Sequence, residues 1–270
     1  MNTKKFKKLI NYIFQKEVLL IYQMGKVGST SLEKSLENNN KYYTEHTHSL
    51  RAPIVFKMFK NFKSIKFYAP LKFIIIYKIG ALIKKFIIKR KKIKIITLVR
   101  EPISRNISMY FQDIHIPIFD VSILNDNRHE DKVNHTILHD FYFKKFNHYY
   151  GVNWMEEEIS KNFGINVYEH DFNKEKGYGV ITKGNVSILI LKMEKLNDLK
   201  SEIQDFLCLK DLEIKKSNQA KEKWYAPLYK QFMENFHPSE DYINELYNTK
   251  YMSHFYTKQE IETYINKWKK

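Results

Sequence analysis

The chain has 270 residues, 43% of them hydrophobic, with 19 Tyr and 19 Phe, and this much apolar and aromatic surface excludes a disordered tail. A single cysteine, Cys208, excludes an internal disulfide framework and a cysteine-rich zinc site, and points to a reducing compartment. The net charge of +16 is concentrated: Arg51 to Lys94 carries two Arg and twelve Lys with no Asp or Glu, so +14 lies in 44 residues.

The first residues, MNTKKFKKLINYIFQK, have a basic start and an apolar pattern broken by Asn, Gln and Lys. They lack a continuous signal-peptide core and read as a basic helix. EVLLIYQ (17–23) is a short apolar run of the kind found in buried parallel strands. A glycine turn follows at once, and SLEKSLENN reads as the helix after it. KYYTEH (41–46) is a second strand.

The basic segment 51–94 reads as an amphipathic helical insertion, two helices broken at Ala69-Pro70. No run in it approaches the ~18 apolar residues of a spanning helix. Its lysines, interleaved with Ile and Phe, suit an anionic membrane surface or a polyanion; the plainer reading is a solvated lysine face over an apolar one. No nucleic-acid reading module accompanies the charge, so nucleic acid is not expected as a partner.

KIKIITLV (92–99) is the strongest strand signal and ends at Arg100, with a helix expected from Pro102. FYFKKFNHYYGVNWMEEEISKNFG (141–164) reads as a helix stopped by Gly164, with Trp154 in the core. INVYEH (165–170) and VSILILKM (186–193) read as strands flanking a loop that holds Gly177, Gly179 and Gly184; Tyr178 and Glu194 look structural. From Leu196 the pattern is helical to Lys270. Strands alternating with helices define an α/β fold with a mainly parallel sheet.

Such sheets bind ligands beyond the C-terminal ends of their strands. Those ends carry QMGKVGSTS, EHTHSLR and REPISRNIS. In the first, Gly25 and Gly28 permit a tight turn around Val27, Lys26 supplies a charge, and Ser29, Thr30 and Ser31 supply hydroxyls at a helix N-terminus, where unpaired N–H groups attract phosphate or sulfate. The spacing is not that of the common nucleotide-triphosphate loop. The plainer alternative is a capped strand-to-helix turn. In the third, Arg100 and Ser108, with Arg105 between them, suit a second phosphate; the alternative is pairing of Arg100 with Glu101 or Asp113.

K-x-G-[ST]-[ST] at Lys26–Thr30, with R-x-P-x-x-R-x-x-S from Arg100 to Ser108, resembles the sulfotransferases that use 3′-phosphoadenosine 5′-phosphosulfate. INVYEHDFNKEKGYGVI, ILILKMEKLND and NQAKEKWYAPLY are similar to segments of a bacterial family of capsular polysaccharide synthesis proteins that shares these loops. The likeness runs over roughly residues 17–235 apart from the basic segment. One departure is that Met24-Gly25 replaces the proline that precedes the loop lysine in many sulfotransferases.

The resemblance implies a three-layer αβα, P-loop-like architecture with a helical C-terminal part, residues 1–270 forming one domain and 51–94 an insertion in it. It implies the phosphosulfate nucleotide as donor, met at its 5′ end by Lys26, Gly28, Ser29 and Thr30 and at its 3′-phosphate by Arg100 and Ser108, with no metal; Gly25, Val27 and Ser31 complete the cofactor-binding loop. The acceptor it implies is a glycan hydroxyl, as on a capsular or other surface polysaccharide; the expected location is cytoplasmic, and the charge of 51–94 suits an anionic glycan or peripheral contact at the inner membrane face. Sulfuryl transfer asks for a cation at the leaving phosphate, Lys26, and a base for the acceptor hydroxyl. His48 is the first choice of base, with His46 and Glu45 as alternatives and His115 and Asp113 next. Lys223 and Trp224, in the run with Asn218 and Tyr225, close over the nucleotide or else pack as an ordinary helix.

Two other classes compete. A nucleotide kinase or NTPase keeps the anion loop but needs carboxylates for Mg²⁺, and none follow a strand as a pair. A non-enzymatic peripheral membrane or polyanion-binding protein explains the charge and leaves both loops without a role.

Overall fold

In the computed structural model the described residues are 17–36, 41–50, 75, 90–115, 135–214 and 223–269. The expected N-terminal helix, nearly all of the basic segment 51–94, and Asn218 lie outside them. A run of apolar residues without alternation is stable as a strand only where both faces are covered, and the core forms around three such runs. Strand β1 (Glu17–Tyr22), β3 (Lys92–Val99) and β5 (Val186–Lys192) bury consecutive residues on both faces. With β2 (Tyr43–Thr47) and β4 (Tyr178–Lys183) they form one sheet in the order β2-β1-β3-β5-β4.

Four strands run parallel, Leu20 pairing with Glu45 on one side and with Ile95 on the other, and Ile95 with Ile188. The fold is thus α/β with a mainly parallel sheet, and β4 alone is antiparallel, an edge strand joined to β5 by a tight turn at Gly184. Helix α1 (Ser29–Leu36) carries the chain from β1 to β2, whereas α2 (Pro102–Gln112) starts the path from β3 toward β5. The connections leaving β1 and β3 therefore diverge to opposite sides. Such a divergence at the C-terminal ends of two adjacent strands marks the position of the ligand crevice in open α/β sheets.

Two expected elements differ. INVYEH is not a strand: Val167–Glu169 is a single 3₁₀ turn, and its donors bond locally, with Tyr168 N–H donating to the Asn166 side chain at 3.3 Å and Glu169 N–H to the Asn166 carbonyl at 3.2 Å. The strand lies instead in the segment assigned to a glycine loop. Gly179 is admitted there because a Cβ would stand 2.9 Å from the Asp171 carbonyl, so the glycine marks a close backbone approach.

The aromatic segment is also not one helix. Helix α3 (His135–Lys145) ends before a series of turns, then a π-helix, Met155–Ser160, runs into a single α-turn, Lys161–Phe163. Gly164 does stop it, at φ 66°, the left-handed conformation glycine adopts without penalty. Trp154 is fully buried, as expected of a core residue.

The C-terminal part is helical: α4 (Lys200–Leu207), α5 (Ala226–Glu234), α6 (Glu240–Tyr247), α7 (Lys250–Phe255) and α8 (Lys258–Trp268). It is tied to the site edge of the sheet. Lys192, buried at the end of β5, donates to both carboxylate oxygens of Glu260 at 2.8 and 2.9 Å, and Glu260 belongs to the capping box that starts α8. Among the described residues no helix is long and apolar enough to cross a membrane.

Candidate functional site

The crevice begins where β1 ends. From Gly25 to Gly28 the chain turns sharply, with Lys26 at φ 68° and Gly28 at φ 85°. A left-handed lysine costs roughly 1–2 kcal/mol, so something must hold it there. Two arginines from the segment after β3 do so. Arg100 Nη1 donates to the Lys26 carbonyl at 2.8 Å, and Arg105 Nε donates to the Gly25 carbonyl at 3.2 Å. The N–H groups of Lys26, Val27 and Gly28 have no acceptor among the described residues. Unpaired N–H groups in succession around a left-handed residue form an anion-binding concavity, and α1 adds its N-terminus, with Ser29, Thr30 and Ser31 in its first turn.

Cations converge on the same place. Burial pushes the Lys26 ammonium below the usual lysine range, and the nearby Arg100 and Lys223 charges push it the same way, with Asp113 opposing them. Lys26, Arg100 and Lys223 thus share a field despite their distance in sequence. Trp224, beside Lys223, is 68% exposed. A tryptophan that large is seldom left in water unless something covers it. Ser108 is half-buried on α2.

The alternative pairing of Arg100 with Glu101 does not occur. Glu101 is the N-cap of α2, accepting from Ile103 N–H at 2.7 Å and Ser104 N–H at 2.8 Å, and it also accepts from the Tyr247 hydroxyl. Its own N–H donates to Glu194 at 2.8 Å. The main chain of Arg100 is held by Tyr251, whose hydroxyl accepts from Arg100 N–H at 2.9 Å and donates to the Arg100 carbonyl at 3.0 Å. Helices α6 and α7 therefore fix the arginine that faces the loop, a contribution the sequence reading missed. No local signal announces it, because a tyrosine on a helix face looks like any core residue.

His46 lies on β2 and His48 just after it, on the side of β1 opposite β3. His48 Nδ1 is 2.9 Å from the Gln23 carbonyl. A carbonyl only accepts, so Nδ1 carries a proton, and in the neutral ring Nε2 then holds the lone pair, the tautomer suited to a base. His46 is turned toward α1, its Nδ1 3.0 Å from Glu33, and its ring lies edge-on to His48 with centroids 4.7 Å apart. The loop bearing His48 is anchored from the π-helix: Trp154 Nε1 donates to the His48 carbonyl at 3.2 Å, and Ser49 Oγ donates to the buried Glu158 at 2.7 Å. Glu158 also accepts from the Tyr22 hydroxyl and, at 3.3 Å, from Leu50 N–H. A single extra residue in a helix often re-aims a side chain near a site, and here it delivers a carboxylate to the end of β1.

Lys26, Arg100, Lys223 and the glycine turn are thus brought together, with His48 on the neighbouring strand end and His115 exposed just beyond α2. The protein is of the α/β class with a cationic crevice at a strand-order switch. Residues 127–257, just under half of the chain, match the family model NKWYS, described as "Putative capsular polysaccharide synthesis protein". That span holds Glu158, Glu194, Lys223, Trp224 and Tyr251, and begins after the glycine turn and Arg100. No curated protein and no solved structure matches the chain significantly.

Proposed function

We propose that the protein is a sulfotransferase that moves a sulfuryl group from 3′-phosphoadenosine 5′-phosphosulfate to a hydroxyl of a glycan. The family match fits a biosynthetic, polysaccharide-related role. The observation that carries the reading is the bond from Arg100 to the Lys26 carbonyl, which makes two motifs separated by 74 residues one surface. The residues fit a donor with two anionic ends: unpaired N–H groups and Lys26 for the 5′ end, Arg100 and Ser108 for the 3′-phosphate, Lys223 for a phosphate oxygen, and Trp224 for the adenine face.

The donor supplies a sulfuryl group on an activated phosphosulfate bond. The acceptor oxygen bonds to sulfur as the bond between sulfur and the bridging phosphate oxygen breaks. His48 Nε2 takes the acceptor proton. Lys26 and the turn's N–H groups oppose the charge gathering on the leaving phosphate, which needs positioning and electrostatics more than covalent chemistry. The basic segment 51–94 holds an anionic glycan or rests on the anionic inner membrane face, which places the enzyme in the cytoplasm.

Calorimetric titration with adenosine 3′,5′-bisphosphate and with ATP, followed by transfer of sulfur label from the donor to cell-envelope polysaccharide, tests this. Tight bisphosphate binding and labelled glycan are expected. Preference for ATP overturns the reading in favour of a nucleotide kinase.

A further inference from the structure

We propose that Arg105 is a positioning residue of the glycine turn, a buried clamp that orients the Lys26 and Val27 N–H groups toward a bound anion without touching it. Arg105 is 0% exposed, so no ligand in the crevice meets it directly. Its Nε bonds the Gly25 carbonyl at 3.2 Å, and Arg100 bonds the next carbonyl, that of Lys26. The described chain has no cis peptide. In a trans peptide the carbonyl and the following N–H point in opposite directions. Holding the carbonyls of Gly25 and Lys26 against the two guanidinium groups therefore turns the N–H groups of Lys26 and Val27 away from them, to where an anion can accept both.

The site around Arg105 is shaped for that one bond. Its Nη1 is held by Asn106 Oδ1 at 3.1 Å, and Asn106 is fixed in turn by donating to the His148 carbonyl at 2.9 Å. The guanidinium lies 5.3 Å from the Tyr150 ring centre, a cation–π distance. At Gly151 a Cβ would come within 3.3 Å of Arg105 Cδ, so a glycine keeps the channel open.

These contacts hold Arg105 without neutralising its charge. Among the described residues no carboxylate forms an ion pair with Arg105 and its Nη2 has no hydrogen-bond partner; burial pushes its pKa down to about 10, with the Asp113 charge opposing. A buried unpaired cation is usually destabilising relative to an apolar residue of its size. The cost is accounted for if the turn's geometry is what the residue serves.

The inference rests on the proposed donor only for its choice of probes. Adenosine 3′,5′-bisphosphate and adenosine 3′-monophosphate are titrated into wild type, Arg105→Lys, which lacks the Nε donor, and Gly151→Ala, which crowds the side chain and leaves every other contact in place. Bisphosphate affinity is expected to fall about tenfold in Arg105→Lys and less in Gly151→Ala, with the 3′-monophosphate within about twofold throughout, since only the 5′ group meets the turn. Equal loss for both ligands marks a general distortion and overturns the clamp, as does no loss for either. If wild type binds neither nucleotide, the donor reading fails and inorganic sulfate decides the clamp separately. A sulfate-induced rise in Tm that both variants diminish supports it, and an equal rise in all three overturns it.

Discussion

Arg100 donates to the Lys26 carbonyl at 2.8 Å, so the residue that closes β3 also sets the conformation of the turn that closes β1. Replacing it removes a turn support and, in the proposed donor site, a ligand contact. For Arg100→Ala, bisphosphate affinity measured by calorimetry should fall by about 2 kcal/mol, the scale of a lost charged hydrogen bond. Equal affinity would remove Arg100 from the site.

Lys26 carries the opposite balance. Its pKa is lowered in the fold by burial, Arg100 and Lys223. The unfolded chain then binds more protons than the folded one between the folded pKa and the ordinary lysine value. Stability from this group therefore rises with pH through that alkaline window, and the penalty is present in full below it. Lys26→Met should match or exceed wild type in Tm at neutral pH without ligand, and the difference should shrink as pH rises. Bisphosphate should raise the Tm of wild type and not of the variant, with turnover lost.

Tyr251 bridges both main-chain polar groups of Arg100 and is 1% exposed. Tyr251→Phe keeps the ring and strands one part-buried N–H and one part-buried carbonyl. Urea unfolding should show a loss of about 1–3 kcal/mol, with donor affinity weakened as Arg100 gains freedom. Unchanged stability would mean that the hydroxyl is not what anchors the arginine.

Glu194 leaves part of its surface in solvent while its carboxylate accepts from Glu101 N–H at 2.8 Å and from the Tyr256 hydroxyl at 3.3 Å. Burial raises its pKa above the usual carboxylate range, against the Glu101 N–H bond that lowers it. The folded state then holds a proton that the unfolded state releases first, so this contribution declines as pH rises through the window above the ordinary glutamate pKa. Glu194→Gln keeps an acceptor for both donors and should flatten that slope in thermal melts between acid and neutral pH. An identical slope would place the titration elsewhere.

Trp224 separates binding from stability most cleanly. At 68% exposure it contributes little to the core, so Trp224→Ala should shift stability by less than about 0.5 kcal/mol. Bisphosphate affinity should drop by about 1–3 kcal/mol, the range of base stacking on an aromatic ring. Full affinity in the variant would assign the adenine to another surface.

The local features were legible because they depend on neighbours in the chain. Apolar runs without alternation marked β1, β3 and β5, Pro102 marked the start of α2, and Gly164 marked the end of the π-helical segment, each through the conformational limits of a few residues. The exchange of strand and loop around INVYEH and Tyr178–Lys183 was not legible. There an asparagine cap competes with extended backbone on nearly equal terms, and pairing with β5 decides which segment becomes the strand.

The site divides in the same way. The residue types of the proposed anion site, Lys26 with its glycines and Arg100 with Ser108, are written in short motifs that any reader of the sequence can list. That Arg105 and Arg100 hold successive carbonyls of the turn, that Tyr251 grips Arg100 from 151 residues away, and that Glu158 steadies the strand end beside His48 follow only from strand order and helix docking. Contacts at such separations carry no local signature, since the same tyrosine, glutamate or arginine fits a solvated or core position equally well until the sheet brings its partner near.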